Sequence, residues 1–226
     1  MIKTILFDVD GTIVDIQKVV LSTFKEVIKE YLNTNVNIND LAFALGIPGR
    51  DAIKHFTKNK VLINKMAKSW SEKASNRVDE DTLFNNIPET IKSLSQKGIT
   101  LGIVTSKTKQ EYINEVGHFG LDDYFDVIVT ASDTKNHKPN PEPLNFAISK
   151  LGVDRTETLY VGDTKYDMLT ANAAKVKFAL ANWGAHEELP EADYQLNNPI
   201  NLEEIAVSYT HLSPNSTQLS SSVLKS

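Results

Sequence analysis

Short apolar runs, each stopped by an acidic residue, a glycine or a polar pair, recur along this chain, and the spacing between them changes once. Thr4-Ile5-Leu6-Phe7 runs into Asp8 and Gly11, which predicts a buried strand ending in a loop. The next such run is distant. From Ile16 to about Asn85 the apolar positions fall at helical spacing, as in Val19, Val20, Phe24, Val27, Ile28 and Tyr31, with a polar break from Asn33 to Asn39. A helical insertion is expected there. From Ile87 a helix should stop near Lys97-Gly98, glycine being a common helix terminator, and a second strand follows from Thr100 to Thr105. Strand and helix then alternate, with strands at 125–129, 158–161 and 176–180 and helices at 143–151 and 166–174. That alternation predicts an α/β fold built on a doubly wound parallel sheet.

Composition narrows the picture without changing it. The 226 residues are 41% apolar and 23% charged, ordinary values for a globular chain with a packed core. A formal charge of −5 offers no basic field for a nucleic-acid backbone, so nucleic acid is not an expected partner. Cysteine is absent, which excludes disulfides and thiolate chemistry and is compatible with a reducing compartment. Met1-Ile2-Lys3 leads straight into the first strand, too soon for a signal-peptide core or a membrane span, so a cytoplasmic, membrane-free protein is expected. Residues 208–226 are rich in Ser, Thr, Asn and Gln and read as a flexible tail. Oligomeric state is not encoded in any of these features, and a monomer is compatible with them.

Candidate chemistry sits where the strands stop. Asp8-Val9-Asp10-Gly11-Thr12 follows the first strand, and loops beyond the carboxyl ends of parallel strands form the usual ligand crevice. Two carboxylates two residues apart would share one side of an extended strand and repel, a conflict that a divalent cation resolves. Alone, the segment has a lesser reading as an acidic turn. A second acidic pair, Asp163 and Asp167, follows the fourth strand; alone it reads as a helix N-terminus capped by Asp163 or Thr164. Two acidic strand ends together favour a hard cation held by oxygen, and magnesium commonly takes one or two carboxylates, water and substrate phosphate. Thr105-Ser106 after the second strand, and Lys138 in Lys138-Pro139-Asn140-Pro141, add hydroxyl donors and a point positive charge suited to a phosphoryl group.

These four segments, in this order and at strand ends, resemble the four motifs of the haloacid dehalogenase-like hydrolases. The resemblance covers roughly residues 1–205. It is nearest to the helical-cap subgroup that includes phosphoglycolate phosphatases, pyrophosphate-cleaving phosphatases and β-phosphoglucomutases. It implies a Rossmann-like catalytic core from residues 1–14 and 85–207 and an inserted α-helical cap domain at 15–84. It also implies Asp8 as nucleophile, Asp10 as general acid and base, Thr105 as the second-motif hydroxyl and Lys138 as the third-motif cation. Magnesium would be held by Asp8, Asp163 and a main-chain oxygen near Asp10, with Asp167 supporting its waters. Gly11, Thr12, Ser106 and Lys107 complete the expected phosphoryl site for a small phosphorylated metabolite. In the same subgroup a cap loop descends over the substrate, which makes Arg50, in Gly46-Ile47-Pro48-Gly49-Arg50, a candidate contact for a distal anionic group. Two departures from the pattern are Ile16, where Ser is frequent, and Lys175, where Gly is frequent, the latter straining a left-handed helix end. The motifs are compatible with a phosphatase, with a phosphomutase that returns the phosphoryl group to a sugar, and, distantly, with a non-catalytic regulatory binding protein.

Overall fold

A computed structural model describes residues 1–45 and 47–206; the tail expected at 208–226 lies outside the described residues. The main sheet contains β1 (Thr4–Phe7), β4 (Thr100–Val104), β5 (Val127–Val129), β6 (Thr158–Gly162), β7 (Lys177–Ala181) and β8 (Tyr194–Leu196). Its order is β5-β4-β1-β6-β7-β8, and every pairing is parallel. The remaining strands, β2 (Val14–Asp15) and β3 (Thr82–Leu83), form a separate antiparallel pair where the chain leaves and re-enters the sheet region.

Alternation along the strands explains the layers. Ile5 and Phe7, Leu101 and Ile103, and Leu159 and Val161 point to one face, where they meet α4 (Ile87–Gln96), α5 (Lys109–Glu115) and α8 (Asn201–Ala206) through Ile91, Leu94, Tyr112 and Leu202. Leu6, Val104, Tyr160 and Phe178 point to the other, against Leu144 and Ile148 of α6 (Glu142–Leu151) and Met168 and Ala171 of α7 (Lys165–Ala174). Both faces are covered, as an all-parallel sheet requires.

Residues 17–75 hold a third apolar cluster. There α1 (Gln17–Leu32), a 3-10 segment at Ile38–Leu45, α2 (Gly49–Ile53) and α3 (Lys60–Ser75) bury Phe24, Ile28, Leu41, Ile53 and Met66 together. Trp70 stacks on Phe24 with ring centroids 4.1 Å apart, and its indole N–H donates to the Val20 carbonyl at 3.1 Å.

Several expected boundaries move. The third strand starts at Val127 rather than Phe125, and the fifth runs from Lys177 to Ala181. Strands β2, β3 and β8, of two or three residues each, carry too little periodicity to predict. Lys175 ends α7 in the left-handed conformation at φ 56°, donating its N–H toward the Ala171 and Asn172 carbonyls, so the cap forms without glycine. No helix among the described residues is long and apolar enough to cross a membrane.

Candidate active site

Sheet order creates the site. Sequence runs outward from β1 through β4 to β5, then returns to the other side of β1 at β6, so the crevice opens at this reversal. Phe7 stands opposite Ile103 on one side and Val161 on the other, which brings Asp8, Thr105 and Asp163 together at three neighbouring strand ends. Lys138 enters from the segment between β5 and α6. Asp8, Asp10, Gly11, Thr105, Ser106, Lys138, Asp163 and Asp167 line one cavity of about 580 Å³.

Within it, Asp8, Asp163 and Asp167 each bring one oxygen within 4.8 Å of the others, and all three are buried. Lys138 Nζ lies 2.6 Å from Asp8 Oδ1 and 2.8 Å from Asp167 Oδ1. One ammonium therefore faces three carboxylates. Burial, joined by the Asp167 charge and opposed by Lys138, pushes the Asp8 carboxyl up to about 7. Asp163 is also raised, by burial and then by Asp8 and Asp167. For Lys138, burial alone would lower the pKa, but Asp167 and Asp8 reverse it and hold the ammonium well above the lysine range. This excess of buried negative charge, presented entirely through oxygen, fits a hard divalent cation.

Other groups fix the cluster. Thr164 caps α7 and forms a capping box with Asp167, whose Oδ2 accepts from the Thr164 N–H at 3.1 Å and its hydroxyl at 2.5 Å. The capping and cluster readings of this segment therefore hold together. Thr12 is fully buried and does not line the cavity; its hydroxyl donates to Asp163 Oδ1 at 3.4 Å. Gly11 adopts φ 76°, and a Cβ there would come 2.0 Å from Asp163 Oδ2.

Asp8 and Asp10 both line the cavity, although after Asp8 the chain turns, with the amides of Thr12, Ile13 and Val14 all donating to the Val9 carbonyl, and Asp10 brings no oxygen into the acidic cluster. Three expected placements differ. Asp167, expected to act at one remove, brings a carboxylate oxygen into that cluster. Lys107 does not line the main cavity; its Nζ lies 3.0 Å from Asp10 Oδ2 and 2.6 Å from Glu115 Oε2. Arg50 is exposed at the start of α2 and does not line the cavity, which Leu45, Ile47 and Pro48 just before it do reach.

Some contributors went unanticipated. Tyr160, buried under Lys138, places its hydroxyl 3.0 Å from Asp167 Oδ1, and its ring centroid lies 5.6 Å from Lys138 Nζ. Trp183 donates from Nε1 to the Thr12 carbonyl at 2.9 Å, and a Cβ on Gly184 would lie 1.8 Å from the Gly11 carbonyl oxygen. Both follow β7, and another strand end was the available signal. Gln17 and His186 also reach the cavity; burial lowers the His186 pKa and favours its neutral ring.

Comparison with known proteins agrees with this architecture. At 34% identity over 190 residues, the chain is similar to pyrophosphatase PpaX of Halalkalibacterium halodurans, covering 83% of this chain and 86% of that one. At 31% over 202 residues it is similar to pyrophosphatase PpaX of Bacillus cereus, covering 87% and 92%. Among solved structures, a haloacid dehalogenase-like family protein of Streptococcus pneumoniae superposes with a TM-score of 0.79 at 21% identity, covering 90% of this chain and 98% of that one. Residues 5–181, which include Asp8, Thr105, Lys138 and Asp163, match the family model described as haloacid dehalogenase-like hydrolase, and the chain belongs to that family.

Proposed function

We propose that this chain is a magnesium-dependent phosphatase that hydrolyses a small phosphate ester through an aspartyl-phosphate intermediate. The observation that carries the reading is the meeting of buried Asp8, Lys138 and two further carboxylates in one cavity, with Asp10 at its side. Asp8 attacks phosphorus, the bond to the leaving oxygen breaks, and Asp10 gives that oxygen a proton. Water then attacks the aspartyl phosphate, Asp10 takes its proton, and cleavage of the bond to Asp8 releases inorganic phosphate. Lys138 and Thr105 hold the equatorial oxygens. Asp8, Asp163 and Asp167, with the main chain near Asp10, would hold magnesium, which when bound offsets the repulsion between Asp8 and the phosphate.

Ile16, Leu45, Ile47 and Pro48 also line the cavity, and Lys138 is the sole Lys or Arg among the described residues that line it. That wall suits a phosphate monoester with an organic body. Pyrophosphate is the second reading, supported by the relatives named for its hydrolysis at 31–34% identity. A panel of monoesters and pyrophosphate, assayed for free phosphate and ranked by kcat/KM, separates them. Turnover should require magnesium, stop in excess chelator, and fall by about 10⁴-fold or more in a folded Asp8→Asn variant. Isomer formation without phosphate release would instead identify a mutase. Asp8→Asn activity near the parent's would overturn the mechanism.

A further inference from the structure

Lys107 has a role that its place after the second strand did not suggest. Its side chain is 13% exposed and ends between two carboxylates, Asp10 Oδ2 at 3.0 Å and Glu115 Oε2 at 2.6 Å. Glu115 closes α5 and is itself 14% exposed at the side chain, so the ammonium is braced from behind by a fixed element. Asp10 Oδ1, by contrast, is buried and has no hydrogen-bond partner. The two oxygens of one carboxylate thus have different fates. Asp10 also borders two cavities: the main one, and a smaller one of about 290 Å³ lined by Lys107, Glu115 and Asp81.

We propose that Lys107, backed by Glu115, is a positioning residue that tethers Asp10 through Oδ2 and so holds its carboxylate at the side of the cavity, where it exchanges a proton with the leaving group and the attacking water. This rests on the reading of Asp10 as the proton donor. An Asp side chain has two rotatable bonds, and a charge-assisted contact to one oxygen restricts where the whole carboxylate can point. Lys107 neither touches the phosphoryl cavity nor has an ammonium free to do so, since both of its close partners are protein carboxylates.

Leaving-group dependence tests this, because p-nitrophenolate departs without a proton while a less acidic phenol needs one. Aryl phosphates from p-nitrophenyl to p-methoxyphenyl keep shape nearly constant and grade that need. Lys107→Met should lower kcat/KM on p-methoxyphenyl phosphate about 10-fold to 100-fold more than on p-nitrophenyl phosphate, within the range of general-acid contributions. Glu115→Gln should steepen the dependence in the same direction by a smaller factor, and it covers the case in which Lys107→Met folds poorly. In an Asp10→Asn background, Lys107→Met should have no further effect on the slope. Equal losses across the series in both single variants, or an undiminished effect in the Asp10→Asn background, would overturn the tether while leaving the phosphatase reading standing. Absence of turnover by the parent on every ester would remove that reading and the tether with it.

Discussion

Asp81 lies just before β3, its Oδ1 buried without a hydrogen-bond partner, and burial followed by the Asp10 charge pushes its carboxyl up to about 6 from 3.8. The folded state therefore binds the proton more tightly than the unfolded chain. Stability that this carboxyl contributes is fully present below about pH 4 and is lost as pH rises through about 6. Asp81→Asn should raise Tm at pH 8 by about 1–2 °C, a modest figure because water still screens the group, and should give no gain at pH 4. Thermal unfolding at the two pH values decides it; an equal shift at both would show that charge is not the cause. Asp8, Lys138 and Asp163 were legible in the sequence because each adjoins an apolar run or a turn signal. Asp81, Tyr160 and the pairing of Lys107 with Asp10 were not, since a charge pair or a hydroxyl contact between distant segments leaves no periodic trace.

At the scale of elements, what stood out in the sequence was the long or strongly apolar strand, and what escaped was whatever is defined by a neighbour. Strands β1, β4 and β6 are continuous buried runs, readable because a sheet covered on both faces demands apolar residues at every position. Strand β8, by contrast, alternates polar and apolar residues over only three positions and exists through pairing with β7. The segment after β7 illustrates the same limit. It reaches past the end of β6 to the turn after β1, where Trp183 bonds the Thr12 carbonyl and Gly184 packs on the Gly11 backbone. A methyl group on Gly184 has nowhere to go. Gly184→Ala should cost roughly 3 kcal/mol and lower kcat by displacing the Gly11 turn, whereas Gly117→Ala, where an added Cβ meets nothing within 4 Å, should be close to neutral. Denaturant unfolding of the two variants provides the comparison, and equal costs would show that close approach is not what Gly184 serves.

Across the whole molecule, the three clustered carboxylates come from distant parts of the chain, positions 8, 163 and 167, and only the assembled sheet brings them together. A cation that bridges them binds the folded core and has no comparable site in the unfolded chain, so binding becomes stability. The helices between residues 17 and 75 contribute no carboxylate to that cluster and bury an apolar cluster of their own. The two tryptophans divide accordingly: Trp70 stacks on Phe24 among these helices, and Trp183 rests on the Thr12 turn beside Asp163. Each can be followed separately in Trp70→Phe and Trp183→Phe variants. At magnesium near 100 times its dissociation constant the core should gain about 2.7 kcal/mol, moving the Trp183 transition upward by about 5–10 °C. The Trp70 transition should stay in place. Asp163→Asn should abolish the Trp183 shift without altering the Trp70 midpoint. If both transitions rise together, the helical insertion and the sheet unfold as one cooperative unit; if neither moves, the acidic cluster does not hold the cation.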